Sequence, residues 1–208
     1  IQIASLRENG QAVIQEVGLY FEYKLYRANR TTKINAEHFK AFTSPNYSFL
    51  IESGVHLKMN PDLFLPTKEN TGLVVHKNLD TNVIILKLFP GISEQVIAAV
   101  VAIPNLKGIV LETYGAGNAP TDEWLLAVLQ KAIQNGIHII NVTQCSGGSV
   151  RMGQYETSTA LREIGVISGN DITTEAAITK LMYLLGQNEL AANFKEQFET
   201  SLRGEIQE

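Results

Sequence analysis

Three apolar runs, VIILKLF at residues 83–89, GIVL at 108–111 and IHIINV at 137–142, determine the architecture of this chain. Each run is short, and each has the composition of a strand that is buried on both faces. Helical patterns separate them, with SEQVIAAVVAI at 93–103 and WLLAVLQKAIQ at 124–134. Strands that alternate with helices indicate a parallel sheet with crossover helices packed on its faces. The sequence therefore predicts an α/β fold.

Helix-capping residues support the same reading. Ser93 is the predicted N-cap of the first helix, and PTDE at 120–123 offers a hydroxyl and two carboxylates at the start of the second. Thr173 is the predicted N-cap of a helix over 174–185. A last amphipathic helix is predicted over about 189–202.

A change in composition predicts a link between two lobes. Pro61 and Pro66 stand among polar residues in a stretch that follows neither the helical nor the strand period. We therefore predict an N-terminal domain remnant at 1–60, an interdomain linker at 61–82 and a C-terminal α/β domain at 83–208.

The N-terminal part shows weaker patterns. Val17–Phe21 has the composition of another strand buried on both faces. Ile1–Glu8 reads as the end of an amphipathic helix rather than as a signal peptide. Because the chain opens without Met, we expect the natural start to lie upstream of Ile1.

Composition excludes several functional classes. The net charge of −4 and the dispersed Lys and Arg residues argue against a nucleic-acid partner. No apolar run approaches the roughly 20 residues of a membrane-spanning helix, so a soluble chain without a membrane partner is expected. Cys145 is the only cysteine, which excludes an internal disulfide and favours the cytoplasm.

Metal and cofactor sites receive no support from the sequence. The spacings within the histidine set do not suit a helical or hairpin metal site, and the acidic residues form no recognisable catalytic pair. We read the histidines as structural or exposed and predict no metal and no organic cofactor. The set comprises His38, His56, His76 and His138.

Two glycine-containing loops follow predicted parallel strands. ETYGAGNAP at 112–120 and TQCSGGSV at 143–150 would meet beyond the carboxyl ends of the sheet, where such folds bind small ligands. Neither loop is a dinucleotide or phosphate-loop fingerprint, and most loops of this kind are simple turns. A solitary cysteine such as Cys145 is likewise more often a packed hydrophobe than a nucleophile.

A basic cluster, YRANRTTK at 26–33, is the third candidate. Such a run is usually a solvated loop or a helix cap. Lys33 nevertheless follows two hydroxyl residues, and a lysine held against hydroxyl and carboxylate groups can support nucleophile activation in acyl transfer.

Several motifs occur together in one order. They are YRANRTTK at 26–33, FTSPN at 42–46, FPGIS at 89–93, YGAGNAP at 114–120, NVTQC at 141–145 and GVISGNDITTEAAITKLMYLL at 165–185. Together they resemble the C-terminal part of type I bacterial L-asparaginases, which are cytosolic. The resemblance runs from about residue 17 to residue 204 and so covers nearly the whole chain.

The resemblance implies a two-domain asparaginase-like fold with parallel sheets flanked by helices, of which the N-terminal domain is incomplete here. It also implies hydrolysis of L-asparagine to L-aspartate and ammonia through a threonine acyl-enzyme. The nucleophilic threonine and a second Thr-Asp pair belong to upstream segments, so we expect the 208-residue chain alone to be inactive. Lys33 matches the family's catalytic lysine.

Subunit assembly also follows from the resemblance. Members form dimers or tetramers, and the C-terminal domain of a neighbouring subunit completes each active site. Asn118 matches a position near that junction, and Tyr155 is a second candidate for substrate or intersubunit contact. Arg27 and Arg30 are expected to hold their loop and the interface rather than touch substrate.

Some members bind a second L-asparagine at an allosteric site. The matching positions are Thr32, Glu112, Asn118, Thr143, Gln144 and Cys145. At position 112 allosteric members carry an arginine, which suits the effector's carboxylate. Glu112 would repel that carboxylate, so a polar cavity is expected without assured activation.

Two alternatives stay open at this point. The first is the asparaginase-like subunit of a tRNA-dependent amidotransferase, which would require a basic tRNA-facing patch that this acidic chain does not show. The second is a non-catalytic module whose loops bind asparagine or aspartate.

Overall fold

The computed structural model describes residues 1–66, 72, 74–153, 156–187 and 193–207. The chain divides into two compact units. The N-terminal unit comprises Ile1–His76 with Leu202–Gly204, and the C-terminal unit comprises Lys77–Ser201 with Glu205–Glu208. The division into 1–60, 61–82 and 83–208 stays a prediction.

The N-terminal unit is built from short antiparallel strands. Its described strands are β1 (Arg7–Glu8), β2 (Gln11–Ala12), β3 (Gly18–Phe21), β4 (Lys24–Arg27), β5 (Thr32–Lys33), β6 (Phe42–Thr43), β7 (Ile51–Glu52) and β8 (Lys58–Met59). One sheet has the order β3–β4–β7–β8, while β1 pairs with β2 and β5 pairs with β6. A small core of Leu25, Leu50 and Ile51 lies within this unit.

The structure corrects two predictions for this unit. Ile1–Glu8 does not end a helix, because a single 3-10 turn at Ile3–Ser5 leads into β1. Asn9 and Gly10 then adopt positive φ angles of 49° and 81° and reverse the chain into β2, as an Asn-Gly hairpin turn does. The strand predicted at Val17–Phe21 is not buried on both faces, since β3 is an edge strand and alternates between exposed and half-buried residues.

A buried arginine connects distant segments of the N-terminal unit. Arg27 donates to both carboxylate oxygens of Glu16 and to the carbonyls of Leu63 and Gly204. Its guanidinium also lies 4.4 Å from the centre of the Tyr47 ring. Burial opposes the charge, but the hydrogen bonds and negative charge of Glu16 leave the pKa of Arg27 above its usual value. Arg27 therefore holds its loop, whereas a role at a subunit interface stays a prediction.

The C-terminal unit confirms the predicted α/β fold. Its described elements are β9 (Val83–Lys87), α1 (Glu94–Val101), β10 (Gly108–Thr113), α2 (Glu123–Gln134), β11 (His138–Thr143), α3 (Glu156–Glu163), β12 (Ile167–Ser168), α4 (Thr174–Leu185) and α5 (Phe194–Glu199). The strands form a parallel sheet in the order β12–β11–β10–β9. The three apolar runs at 83–89, 108–111 and 137–142 supply β9, β10 and β11 of this sheet.

Alternation along the strands assigns the two faces of the sheet. Ile109 and Ile139 pair in register and join a core cluster that includes Leu125 and Leu129 of α2. Neighbouring residues point the other way. Helix α4 packs there, and a Cβ atom added at Gly108 would lie only 2.7 Å from the Leu181 side chain, so α4 crosses the strand closely at this glycine.

Thr173 and Ser93 occupy the N-cap positions that the sequence predicts, whereas α2 begins differently. Thr173 caps α4, because its side chain accepts a hydrogen bond from the Ala176 amide at 3.2 Å. Ser93 and Asp122 occupy the N-cap positions of α1 and α2, but neither side chain makes a capping bond. Asp122 closes its turn through its backbone carbonyl, which accepts from the Leu125 amide at 3.0 Å. The predicted hydroxyl cap of α2 is therefore wrong.

The last predicted helix is shorter than the sequence indicates. Part of its predicted range lies outside the described residues, and α5 ends at Glu199 rather than at residue 202. Thr200 is extended at ψ 137°, and its carbonyl accepts a hydrogen bond from Nζ of Lys180 at 2.7 Å. This tertiary bond replaces the next turn of helix.

The same lysine forms a buried ion pair. Nζ of Lys180 lies 2.6 Å from a carboxylate oxygen of Glu205, and both side chains are almost fully buried. The Lys180 ammonium also lies 5.2 Å from the centre of the Phe198 ring. The pair therefore fastens the end of the chain onto α4.

Substitution Lys180→Met should lower the free energy of unfolding by about 3 kcal/mol, because it leaves the Glu205 carboxylate buried without its cation. The double substitution Lys180→Met with Glu205→Gln should recover more than half of that loss. Urea unfolding followed by circular dichroism measures both values. Equal destabilisation in the single and double variants would contradict the ion-pair explanation.

A second prediction concerns pH. His138 stacks on Phe194 at 3.7 Å between ring centres, and burial lowers the pKa of His138 below its ordinary value of 6.5. Above pH 6.5 the His138 ring is neutral in both the folded and the unfolded state, so it adds no pH dependence to the free energy of unfolding there. As the pH falls through 6.5, the unfolded state takes up the proton first and stability decreases.

The expected result is a lower free energy of unfolding at pH 5.5 than at pH 7.5, with a smaller difference in His138→Phe. The exposed His38 provides the matched control, since His38→Phe should leave the pH difference unchanged. Identical pH profiles for the His138→Phe variant and the unsubstituted protein would refute this assignment.

Candidate functional site

Two loops lie side by side at the carboxyl edge of the parallel sheet. The first loop, 114–122, follows β10, and the second loop, 144–150, follows β11. The final residues of the two strands, Thr113 and Thr143, pair in register. Both loops therefore begin at the same level of the sheet, which is where parallel α/β folds bind ligands.

A tight turn shapes the first loop. The backbone amide of Tyr114 donates to the carbonyl of Asn118, and the amide of Asn118 donates back to Tyr114, both at 2.8 Å. Gly117 has a φ angle of +100°, and an added Cβ there would lie 2.7 Å from Val150. Only glycine fits this position, because the angle and the space both exclude a side chain.

Three successive carbonyls of the turn accept hydrogen bonds from the surrounding structure. The Thr143 hydroxyl donates to the carbonyl of Gly115 at 2.6 Å. The Arg151 amide donates to Ala116 at 2.9 Å. The Asn141 side-chain amide donates to Gly117 at 3.1 Å. The turn that precedes Asn118 is thus held at three consecutive residues.

The donor at Gly117 belongs to a buried polar pair. Asn141 and Thr113 are fully buried, and the Thr113 hydroxyl donates to Oδ1 of Asn141 at 2.6 Å. This bond orients the amide so that its nitrogen faces Gly117. Sequence reasoning missed both residues, although an asparagine inside the apolar run IHIINV is a usable signal.

Gln144 ties the ends of three strands together. Its backbone amide donates to the carbonyl of Thr113 at 2.9 Å. Its side-chain nitrogen donates to the carbonyl of Leu88 at 2.6 Å and to that of Glu112 at 2.9 Å. Both side-chain N–H groups therefore have acceptors, so only Oε1 is left to meet a ligand.

Thr143 and Cys145 are also engaged within the second loop. The Thr143 hydroxyl, which donates to Gly115, accepts a hydrogen bond from the Cys145 amide at 3.0 Å. The Cys145 thiol is free and the residue is exposed. The hydroxyl of Thr143 thus serves the loop rather than an open cavity.

Glu112 points to the other face of the sheet. Because side chains alternate along β10, Glu112 lies opposite to Thr113. Its carboxylate accepts a hydrogen bond from the Thr174 hydroxyl at 2.8 Å, and its second oxygen lies 3.8 Å from Nζ of Lys87. The structure therefore brings Asn118, Thr143, Gln144 and Cys145 into one loop cluster, while the Glu112 side chain is partnered elsewhere.

The remaining predicted residues lie apart in the chain. Thr32 and Lys33 form β5 of the N-terminal unit, where they pair with Thr43 and Phe42. Lys33 is exposed, and its Nζ lies 5.8 Å from the centre of the Phe42 ring. Tyr155 lies outside the described residues. The assembly of Lys33 and Asn118 into one active site stays a prediction.

The described parts of the chain hold neither a metal-ligand cluster nor a helix that could span a membrane. Over those residues, no group of three or more His, Cys, Asp or Glu side chains is arranged to hold a metal ion. None of the described helices has both the length and the apolar character required to cross a membrane.

Comparison with protein families gives matches in both parts of the chain. The model described as "Glutaminase/Asparaginase C-terminal domain" matches residues 82–198. The model described as "Asparaginase, N-terminal" matches residues 2–64.

Known proteins are similar over nearly the whole chain. "L-asparaginase 1" of Escherichia coli is 39% identical, and the match covers 99% of this chain and 64% of that protein. The human "60 kDa lysophospholipase" is 42% identical over 98% of this chain and 35% of its own length. The crystal structure of L-asparaginase I from Vibrio cholerae superposes with a TM-score of 0.87 at 39% identity, covering 94% of this chain and 58% of that one. The chain thus spans about one third to two thirds of these relatives.

Substitution Gln144→Glu should destabilise the C-terminal unit by about 2 kcal/mol, because a carboxylate would face the two carbonyls to which the amide now donates. Gln187→Glu is the matched control. The Gln187 side chain also donates to two carbonyls, those of Asn78 and Tyr183, but the Asn78 bond is exposed and water can replace it. Thermal unfolding should show a clear loss for the first variant and little for the second. Equal losses would disprove the importance of burial at Gln144.

Proposed function

This chain belongs to the glutaminase/asparaginase family, and from that membership we propose that its protein hydrolyses L-asparagine to L-aspartate and ammonia. The observation that carries the proposal is the match to both asparaginase family models, joined to 39% identity with an L-asparaginase over 99% of the chain. The ordered turn that presents Asn118 at the carboxyl edge of the sheet supports it.

We place the nucleophilic threonine outside these 208 residues. Three threonines at the carboxyl edge already donate their hydroxyl hydrogens: Thr113 to Asn141, Thr143 to a backbone carbonyl and Thr174 to Glu112. A nucleophilic hydroxyl instead requires a base that can remove its proton. The partial coverage of the relatives leaves room for such a segment.

The proposed reaction has two stages. The threonine oxygen attacks the side-chain amide carbon of asparagine, and its proton passes to the leaving nitrogen, which departs as ammonia. Hydrogen-bond donors stabilise the negative oxygen of the tetrahedral intermediate. Water then attacks the aspartyl ester, and aspartate leaves as the threonine hydroxyl is restored. The reaction as written requires no metal or organic cofactor.

Lys33 is the residue of this chain to which we assign a catalytic role. Its exposed ammonium, at the end of the short β5 strand, is free to approach groups contributed from elsewhere. There it would bond to a Thr-Asp pair and help remove the nucleophile's proton. Thr32, its neighbour, would line the adjacent effector site.

Asn118 and Tyr155 are proposed to act across a subunit junction in a dimer or tetramer. Asn118 would reach the substrate bound by the neighbouring subunit, since its turn is held from below and ends at the sheet edge. The free, exposed Cys145 thiol fits a reducing compartment, and we propose the cytoplasm.

A second L-asparagine site is proposed at the loop cluster. It would use the side chains of Thr32 and Asn118, Oε1 of Gln144 and the backbone around Thr143 and Cys145. Glu112 contributes no positive charge, and its carboxylate is already partnered by Thr174 and Lys87. We therefore expect weak binding of an effector's carboxylate and no strong homotropic activation.

The test of function is ammonia release from L-asparagine. The purified 208-residue chain, shown to be folded by circular dichroism, should release none, because we place the nucleophile outside it. Steady release by this chain would contradict our placement of the nucleophile. Joining the chain to the upstream domain of a type I asparaginase should produce activity, and a folded but silent joined protein would contradict the asparaginase assignment.

Within the active joined protein, Lys33→Met should lower kcat by about 100-fold or more, since assistance in proton transfer is lost. Lys40→Met is the matched control, because Lys40 is an exposed lysine in the connection that follows Lys33 and leads from β5 to β6. Its kcat should not change. Similar effects of the two substitutions would count against a catalytic role of Lys33.

A further inference from the structure

We propose that Asn141 is a positioning residue for Asn118, acting through the carbonyl of Gly117. The inference rests on the proposed function only in that Asn118 is assigned there to contact a ligand. Asn141 itself touches no ligand, because it is fully buried on β11 beneath the first loop.

The burial of the Asn141 amide makes its hydrogen bonds necessary. Asn141 interrupts the apolar run of β11 and pairs in register with Leu111, which belongs to the main core cluster. An amide buried there costs free energy unless both of its ends are hydrogen bonded. Its oxygen accepts from Thr113 and its nitrogen donates to Gly117, so the amide is satisfied only when the first loop is in this position.

The turn fits closely against the Asn141 amide. An added Cβ at Gly117 would lie 3.1 Å from Nδ2 of Asn141 and 2.7 Å from Val150, so the backbone rests directly on the amide. Residue 118 follows at once, and its amide and carbonyl close the turn on Tyr114. A shift of Gly117 therefore moves Asn118.

The hydrogen bond from Asn141 differs from the other two bonds to the turn. The bond to Ala116 comes from the backbone of Arg151, and the bond to Gly115 comes from the exposed hydroxyl of Thr143. Water can replace an exposed hydroxyl more readily than a buried amide. The desolvated bond from Asn141 is thus the side-chain contact that the turn can least easily replace.

Amide hydrogen exchange measured by NMR on the whole 208-residue chain tests the proposal. The Gly117 and Asn118 amides both donate to the Tyr114 carbonyl, so their exchange rates report the order of the turn. Asn141→Ala should raise both rates by roughly tenfold more than it raises the rate of Leu129 in the core of α2. Rates that rise by one common factor would overturn the proposal and leave Asn141 with a purely structural role.

Two sets of variants sharpen this test. Ile97→Ala removes a fully buried core residue of α1, and it should raise all rates of the unit together. Thr113→Val removes the hydroxyl that orients the Asn141 amide and should reproduce the local increase, whereas Thr113→Ser retains the hydroxyl and should restore the slow exchange. Failure of Thr113→Ser to do so would refute the orienting bond.

Ligand titration separates this proposal from the proposed function. L-aspartate at millimolar concentrations should shift the Asn118 side-chain NMR signal of the unsubstituted joined protein, which contains the complete substrate site, and Asn141→Ala should weaken that response by roughly tenfold. A missing shift in the unsubstituted protein would overturn the ligand role of Asn118, while the exchange rates would still decide the role of Asn141. An unchanged response in Asn141→Ala would overturn the positioning role.

Discussion

The buried hydrogen-bond chain from Thr113 through Asn141 to Gly117 is the constraint on which the candidate site depends. Desolvated polar groups must find partners within the protein, since water is not available to them. At the carboxyl edge of this sheet the partner of the Asn141 nitrogen is the turn before Asn118. The burial of Asn141 in the sheet thereby fixes the position of a surface loop.

A buried cation in each unit holds separate segments of that unit together. Arg27 gathers Glu16 and the carbonyls of Leu63 and Gly204 in the N-terminal unit, while Lys180 binds Glu205 and the Thr200 carbonyl in the C-terminal unit. In both cases the final stretch of the chain supplies an acceptor. A buried positive charge is costly unless it has acceptors within the protein. Each cation therefore holds the final stretch of the chain through a specific partner.

The amides and hydroxyls of the loop cluster are largely committed to the fold. Thr143 serves the first loop and Gln144 joins the ends of three strands through its side-chain nitrogen, which leaves Oε1 of Gln144 to meet a small polar ligand. Glu112 has its partners, Thr174 and Lys87, on the opposite face of the sheet. Rigid, preorganised groups of this kind would orient the ligand of the proposed site.

The sequence by itself determined that β9, β10 and β11 are parallel strands joined by crossover helices, and it determined the Thr173 cap, because these features arise from local periodicity and from neighbouring residues. The family followed from motifs in register. Only the tertiary structure decided that β3 is an antiparallel edge strand and that α5 ends at Glu199. It alone also decided that Gln144 reaches Leu88 and that Asn141 supports Gly117. Those contacts join residues far apart in the chain, and the burial that makes them necessary exists only after the sheet has formed.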